Sequence, residues 1–250
     1  MSLRLGLADG RNLDAEASDR TVVNRIGVLF LNSPSEINAD AQIHVQLMAE
    51  LDRTRFDVHA ACYEGQREQP TESYRVLSQV PQLHLRNTSF GPSTSHKSGL
   101  QKAAIPLAMV PSIASLAGLA AYIRRHNIKI IHATSRPRDA IPCVILARLT
   151  GAKSVIHLHV ASQNWISKAV RWAMSRADAL FSISNAVTST LLNTGYPSAK
   201  IHTLLNSIDL SSWDCSLQQR VMREELGLPQ DCPVILSTGR LFPSKGQANG

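Results

Sequence analysis

Aromatic residues make up only 5 % of this 250-residue chain, and neither an RNP-like nor a helix-turn-helix signature appears. A nucleic-acid partner therefore has no stacking platform or recognition helix to build on. The four cysteines, Cys62, Cys143, Cys215 and Cys232, form no CxxC pair and no regular spacing. That pattern suggests neither a zinc ligand set nor a disulfide framework, and it fits a reducing cytoplasm. No GxGxxG occurs, so a nicotinamide or flavin site lacks its phosphate-binding turn. Residues 1–24 contain no apolar run long enough for a signal-peptide core and read as a disordered leader. One charge-free segment, Ala103 to Ile123, has the length of a membrane span. Pro106 and Pro111 break it, and Ser112 and Ser115 dilute it, so it predicts a helix packed on a sheet instead.

What is present is ordinary for a globular protein, with 44 % hydrophobic and 18 % charged residues, enough to bury one large core. The net charge of +7 favours anionic partners, whether nucleic acid, anionic lipid or a nucleotide diphosphate, and charge alone does not choose among them. From Arg25 onward, short apolar runs rich in β-branched residues alternate with helical segments, the order of a parallel α/β sheet with helices on both faces. The predicted strands are RIGVLFL (25–31), FDVHAAC (56–62), LHL (83–85), IKIIHAT (128–134), KSVIHLHV (153–160), ADALFSIS (177–184) and KIHTLLN (200–206). Most are continuously apolar, as strands covered on both faces are. In the first helix Ile43, Leu47, Met48 and Leu51 form an apolar stripe. A later helix has Ser216 and Gln219 as a capping box, with Gly227 and Pro229 as its stop. Residues 86–99 read as a polar loop. A last apolar strand begins at Pro233.

Ligands of open parallel sheets bind at the carboxyl ends of the strands. There the first strand enters NSPSEINAD (32–40), a loop before a helix whose N-terminal amides suit a phosphate or a sugar hydroxyl. His132 closes one strand, and His157 and His159 close the next. Their spacing of two places His157 and His159 on one face of a strand, an arrangement that also serves metal sites. A metal needs a third ligand, and the only acidic residue in the strand-end loops is Asp139. Contact with substrate is thus the leading reading of the histidines, with structural hydrogen bonding and metal ligation beside it. Further on, ASQNWISKAVRWAMSRAD (161–178) interleaves Trp165, Ile166, Val170 and Trp172 with Lys168, Arg171 and Arg176. Such a helix either lies on an anionic bilayer or packs on the core with its basic residues in water.

Five ordered segments resemble the retaining family 4 glycosyltransferases of the GT-B class. IIHATSRPRDA (130–140) and VIHLHV (155–160) are similar to the family's two strands that end in histidine. ADALFSISNAV (177–187) resembles "aDaviavSeav", and GYPSAKIHTLLNSIDL (195–210) resembles "GvpaeKItvipNGVDl". VILSTGRLFPSKG (234–246) is similar to the "vGRL…KG" opening of the donor-binding domain. Two departures stand out: Ser35, Glu36, Ile37 and Asn38 occupy the place of a glycine pair in the first loop, and Ser207 follows Asn206 where glycine is usual.

The resemblance implies a Rossmann-like acceptor-side domain over residues 25–228 and a truncated donor-binding domain over 231–250, reduced to its first strand and turn. It implies transfer of a sugar, with retention, from a nucleotide-sugar donor to a sugar or lipid acceptor, with no cofactor and no metal. His159 is expected beside the transferred sugar, Arg240 and Lys245 on the donor diphosphate, and Asn38, His132 and His157 on the acceptor. Fixed cations at a departing diphosphate lower the barrier to its departure. The expected location is cytoplasmic, with peripheral contact to the inner face of the membrane, and the chain alone is expected to be inactive. A GT-B-type sugar-nucleotide epimerase and a non-catalytic remnant or binding domain stand as alternatives.

Overall fold

A computed structural model of the chain describes residues 25–66, 68–91, 105–134, 136–161, 166–207, 219–236 and 239, the side chains of 105–110 and 219–220 excepted. In chain order the strands are β1 (Ile26–Asn32), β2 (Phe56–Cys62), β3 (Gly65–Gln66), β4 (Gln69–Pro70), β5 (His84–Asn87), β6 (Ile128–Ala133), β7 (Lys153–Leu158), β8 (Ala179–Ser182) and β9 (Ile201–Thr203). The helices are α1 (Ala39–Glu50), α2 (Glu72–Ser78), α3 (Ile105–Arg125), α4 (Ala140–Thr150), α5 (Lys168–Arg176), α6 (Asn185–Asn193) and α7 (Gln219–Glu225). All seven predicted strands up to residue 206 form, each trimmed or shifted by a few residues at most. They make one parallel sheet in the order β5-β2-β1-β6-β7-β8-β9. The small β3-β4 hairpin was not foreseen, because two-residue strands carry no periodicity to read.

The sheet is covered on both faces. On one, Val28, Phe30, Val58, Ala60 and Cys62 pack with Met48 of α1 and Leu77 of α2. On the other, Leu29, Leu31, Ile131, Ala133, Ile156 and Leu158 join Leu119 and Ile123 of α3, Val144 of α4 and Val170 of α5. Side chains alternate along each strand, so one continuous apolar run supplies both layers. The charge-free segment becomes α3, with Pro111 inside the helix and Leu119 and Ile123 buried. Among the described residues no helix is long and apolar enough to cross a membrane.

The basic amphipathic segment becomes α5, capped by the Ser167 hydroxyl, which accepts from the Val170 amide at 3.3 Å. Val170, Ala173 and Met174 are buried, while Lys168 and Arg176 face water. The core-packed reading of this helix is the one observed, and Trp165 lies outside the described residues.

The chain divides into two compact units, one up to Ser207 and one from Ile208. In that second unit α7 ends as foreseen. Gly227 adopts φ +64°, and the Leu228 amide donates to the Arg223 carbonyl at 2.8 Å, a helix stop that a left-handed glycine permits. Ser216, the expected cap, lies outside the described residues. Residues 233–236, where a strand was expected, carry no strand, and Ile235 is 98 % exposed. A lone apolar segment without a paired neighbour has no ladder to hold it as a strand.

Candidate functional site

The carboxyl edge of the sheet is built by the ends of β1, β6 and β7. In parallel register Phe30 of β1 lies beside His132 of β6, which lies beside Val155 of β7. His157, two residues along β7, therefore shares a face with His132, and its ring Nδ1 sits 3.3 Å from His132 Nε2. His159 falls just past the end of β7, yet its ring still stacks on that of His157, with centroids 4.7 Å apart. The three histidines thus come together as the strand spacing implied.

A fourth imidazole, missed in the sequence, joins them. His44 of α1 is 1 % exposed and its ring meets those of His132, His157 and His159 at 5.3, 4.8 and 4.9 Å. His44 Nε2 and His159 Nε2 are hydrogen-bonded at 2.8 Å. The buried residues of α1 are Ala41, His44 and Met48, spaced three and four apart. The inward stripe is therefore rotated by about one residue from the apolar one, and Ile43 and Leu47 are only half-buried. A histidine at helical spacing between Ala41 and Met48 was the signal available.

Burial sets the charge of this cluster. It lowers the proton affinity of His44 and His132 far below the ordinary histidine range and pushes His157 down to about 3. It lowers His159 too, against the pull of Asp40, whose carboxylate lies 3.7 Å from His159 Nδ1. All four rings are neutral near pH 7, since a like-charged cluster out of water is costly. His44 Nδ1 and His157 Nε2 are buried with no hydrogen-bond partner among the protein groups. Each such orphan costs about 1–3 kcal/mol.

Two clefts open at this edge. A recess of about 160 Å³ is lined by Asp40, Thr134, Arg136, His157 and His159 among others. Beside it, sharing Arg136, a cleft of about 280 Å³ is walled by Ser33, Ser35, Ser89, Tyr63, Phe90 and Arg138 among others. Under the arginines Asp139 is 1 % exposed, and burial raises its carboxyl to about 6. The larger cleft, with hydroxyls, aromatic faces and two guanidinium groups, suits a polar ligand carrying hydroxyls or negative charge. Ser33, Tyr63, Phe90, Arg136 and Arg138 were not singled out beforehand. They meet only through the fold, from four separate strand ends.

Asn38, expected at the acceptor, caps α1: its Oδ1 accepts from the Ala41 amide at 2.8 Å. It is exposed, two residues before Asp40, and lines neither cleft. Arg240 and Lys245 lie outside the described residues.

A parallel α/β sheet with polar clefts at its carboxyl edge and no glycine-rich dinucleotide turn has the build of one half of a GT-B glycosyltransferase. The chain belongs to the glycosyl transferase 4-like domain family, whose model matches residues 42–207. Among solved structures, Anabaena HepE in complex with UDP is 14 % identical, with a TM-score of 0.59 over 81 % of this chain and 50 % of that one. The same protein in complex with UDP-glucose is 15 % identical, with a TM-score of 0.57 over 81 % and 50 %. The lipopolysaccharide outer core galactosyltransferase WaaB, in its apo form, is 10 % identical, with a TM-score of 0.50 over 75 % and 47 %. The chain spans about half the length of these structures, and at such identities the likeness is one of fold. No curated protein matches the chain.

Proposed function

We propose that this chain supplies the acceptor-side wall of a retaining glycosyltransferase, which moves a sugar from a nucleotide-sugar donor to a hydroxyl of a sugar or lipid acceptor. The observation that carries this reading is the pair of adjoining clefts at the carboxyl edge of the sheet, joined at Arg136, in a chain of the glycosyl transferase 4-like family. HepE, solved with UDP and with UDP-glucose, supports a nucleotide sugar as the donor class.

In this reading the acceptor lies in the larger cleft, its hydroxyls on Ser33, Ser35 and Ser89 and its ring against Tyr63 and Phe90. His159, neutral and held between Asp40 and His44, is the catalytic residue of this half. In the lining of the smaller recess its Nε2 is taken by His44, while its Nδ1 has no hydrogen-bond partner among the protein groups, so a neutral ring offers that nitrogen to the transferred sugar. His157 and His132 stand behind it on the acceptor side, and Asn38 holds the first turn of α1 that carries Asp40. Arg240 and Lys245 belong to the donor half, where they meet the diphosphate as its charge grows.

The test is a chimera that joins this chain to the donor-binding half of a family member, assayed with a panel of nucleotide sugars. His159→Ala is expected to lower turnover by about a hundredfold, the scale of one preorganised polar group, with donor affinity unchanged within about threefold. The chain alone is expected to bind acceptor sugars and to transfer nothing. Full turnover in the variant, or micromolar binding of a nucleotide sugar by the chain alone, refutes the assignment.

A further inference from the structure

The four-histidine cluster does more than any acceptor contact requires. Two strands and a helix from distant parts of the sequence bring neutral imidazoles together, flanked along the sheet by Phe30 of β1 and Phe181 of β8. Phe30 stacks on His132 at 4.8 Å, and Phe181 sets its edge to His132 and His157 at 5.8 Å each. One ring nitrogen from each of His44, His132 and His157 lies within 4.8 Å of the other two. We propose that His44, His132 and His157 hold a divalent ion of the zinc type, a structural clamp that pins α1 to β6 and β7.

The geometry is close to what such an ion needs. Zinc–imidazole bonds of about 2.0–2.1 Å in a tetrahedron set neighbouring ligand nitrogens roughly 3.3–3.4 Å apart. His132 Nε2 and His157 Nδ1 already stand 3.3 Å apart. The His44 nitrogen lies within 4.8 Å of both, so the ion would draw α1 slightly toward the strands. His44 Nε2 is tied to His159 while its Nδ1 is buried without a partner, so one nitrogen is available to an ion while an outer group orients the ring, the usual arrangement around ligating histidines.

The ligand chemistry selects the ion. Three imidazoles with no carboxylate among them are poor hosts for magnesium or calcium, which demand oxygen, and good ones for zinc and its neighbours. Asp40, beside His159, supplies a nearby negative charge. The metal pair expected from the strand spacing was His157 and His159, one ligand short; the set that comes together is His157 with His132 and His44. This proposal does not rest on the glycosyltransferase reading, and no step of sugar transfer passes through the ion. Its consequence is positional: the clamp fixes the start of α1 and with it the loop at Ser33 and Ser35 that walls the larger cleft.

The test uses the full chain, stripped with a chelator, then titrated with Zn²⁺ against a chromophoric competitor and separately with Co²⁺. One equivalent of zinc is expected to bind at submicromolar affinity, with the intense visible bands of four-coordinate cobalt and a higher melting temperature with Zn²⁺ than with Mg²⁺. His44→Ala, His132→Ala and His157→Ala are each expected to weaken zinc by about a hundredfold, at least what losing an outer partner costs such a site. His84→Ala, on the exposed edge strand, is expected to leave affinity unchanged. Variants that do not fold by circular dichroism are replaced by imidazole proton spectra of the unaltered chain. There the resonances of His44, His132 and His157 should move with one equivalent of zinc while that of His84 stays. No zinc bound, cobalt in six-coordinate form, variants that bind as tightly as the parent, or zinc that moves only His84 each overturn the proposal.

Discussion

Asp139 offers a sharp test of how burial and charge compete beneath the clefts. Its carboxyl is 1 % exposed at the start of α4, and burial is the largest influence on it. Ser33 and the neighbouring guanidinium groups pull the other way, with Arg138 Nε at 3.9 Å. Burial prevails and raises the pKa from 3.8 to about 6. Below about pH 4 both folded and unfolded chains are protonated at this site, and Asp139 costs nothing. As pH rises from 4 to 6 the unfolded chain releases its proton first, so stability falls, and the full penalty is present above pH 6. At 1.36 kcal/mol per pKa unit the penalty is on the order of 3 kcal/mol. Asp139→Asn keeps the shape and removes the ionisation. The variant is expected to match the parent near pH 4 and to exceed it by up to about 3 kcal/mol at pH 8. Urea denaturation at a series of pH values reads this directly as a shift of midpoint with the slope unchanged. A variant less stable than the parent at pH 8 would show that the arginines, and not burial, govern the carboxylate, and the reasoning would be refuted.

Two further outcomes follow from local geometry. A Cβ placed on Gly27 would meet the Ile128 Cα at 2.9 Å, backbone against backbone between β1 and β6, so Gly27→Ala is expected to cost about 1–3 kcal/mol; urea denaturation that shows no loss would mean the strands separate freely there. Asn38→Ala is expected to lose about 1 kcal/mol with its cap on the Ala41 amide, while Asn38→Asp keeps it; equal stability of all three in thermal melts would remove the capping role.

The parallel sheet was legible because its strands are covered on both faces. Continuous apolar runs such as VLFL (28–31) need no alternation to be read. The strand histidines were legible because they sit where strands end. His44 was not, because a helix stripe is read by its apolar members, and the inward face of α1 is defined as much by a histidine as by Met48. The clefts were illegible for a different reason. Ser33, Tyr63, Phe90 and Arg136 come from separate crossings of the sheet, and only the strand order brings their loops together.

The segments that carry the family resemblance turn out to be joints of the backbone. Asp178 accepts from the Ser154 amide at 2.9 Å and from Lys153 Nζ at 2.9 Å, locking the start of β7 to the turn before β8. Ser184 caps α6 by accepting from the Val187 amide, and Lys200 Nζ reaches the Ala177 carbonyl at 2.9 Å. Each satisfies a backbone group that the parallel crossover would otherwise leave unpaired, so any chain that builds this crossover has the same need. The groups that wall the larger cleft are a different set, among them Ser35, Tyr63, Arg136 and Arg138. The side chains that hold the crossover and those that wall the cleft are therefore not the same. A motif strong enough to assign the family says little about which hydroxyl the family member glycosylates.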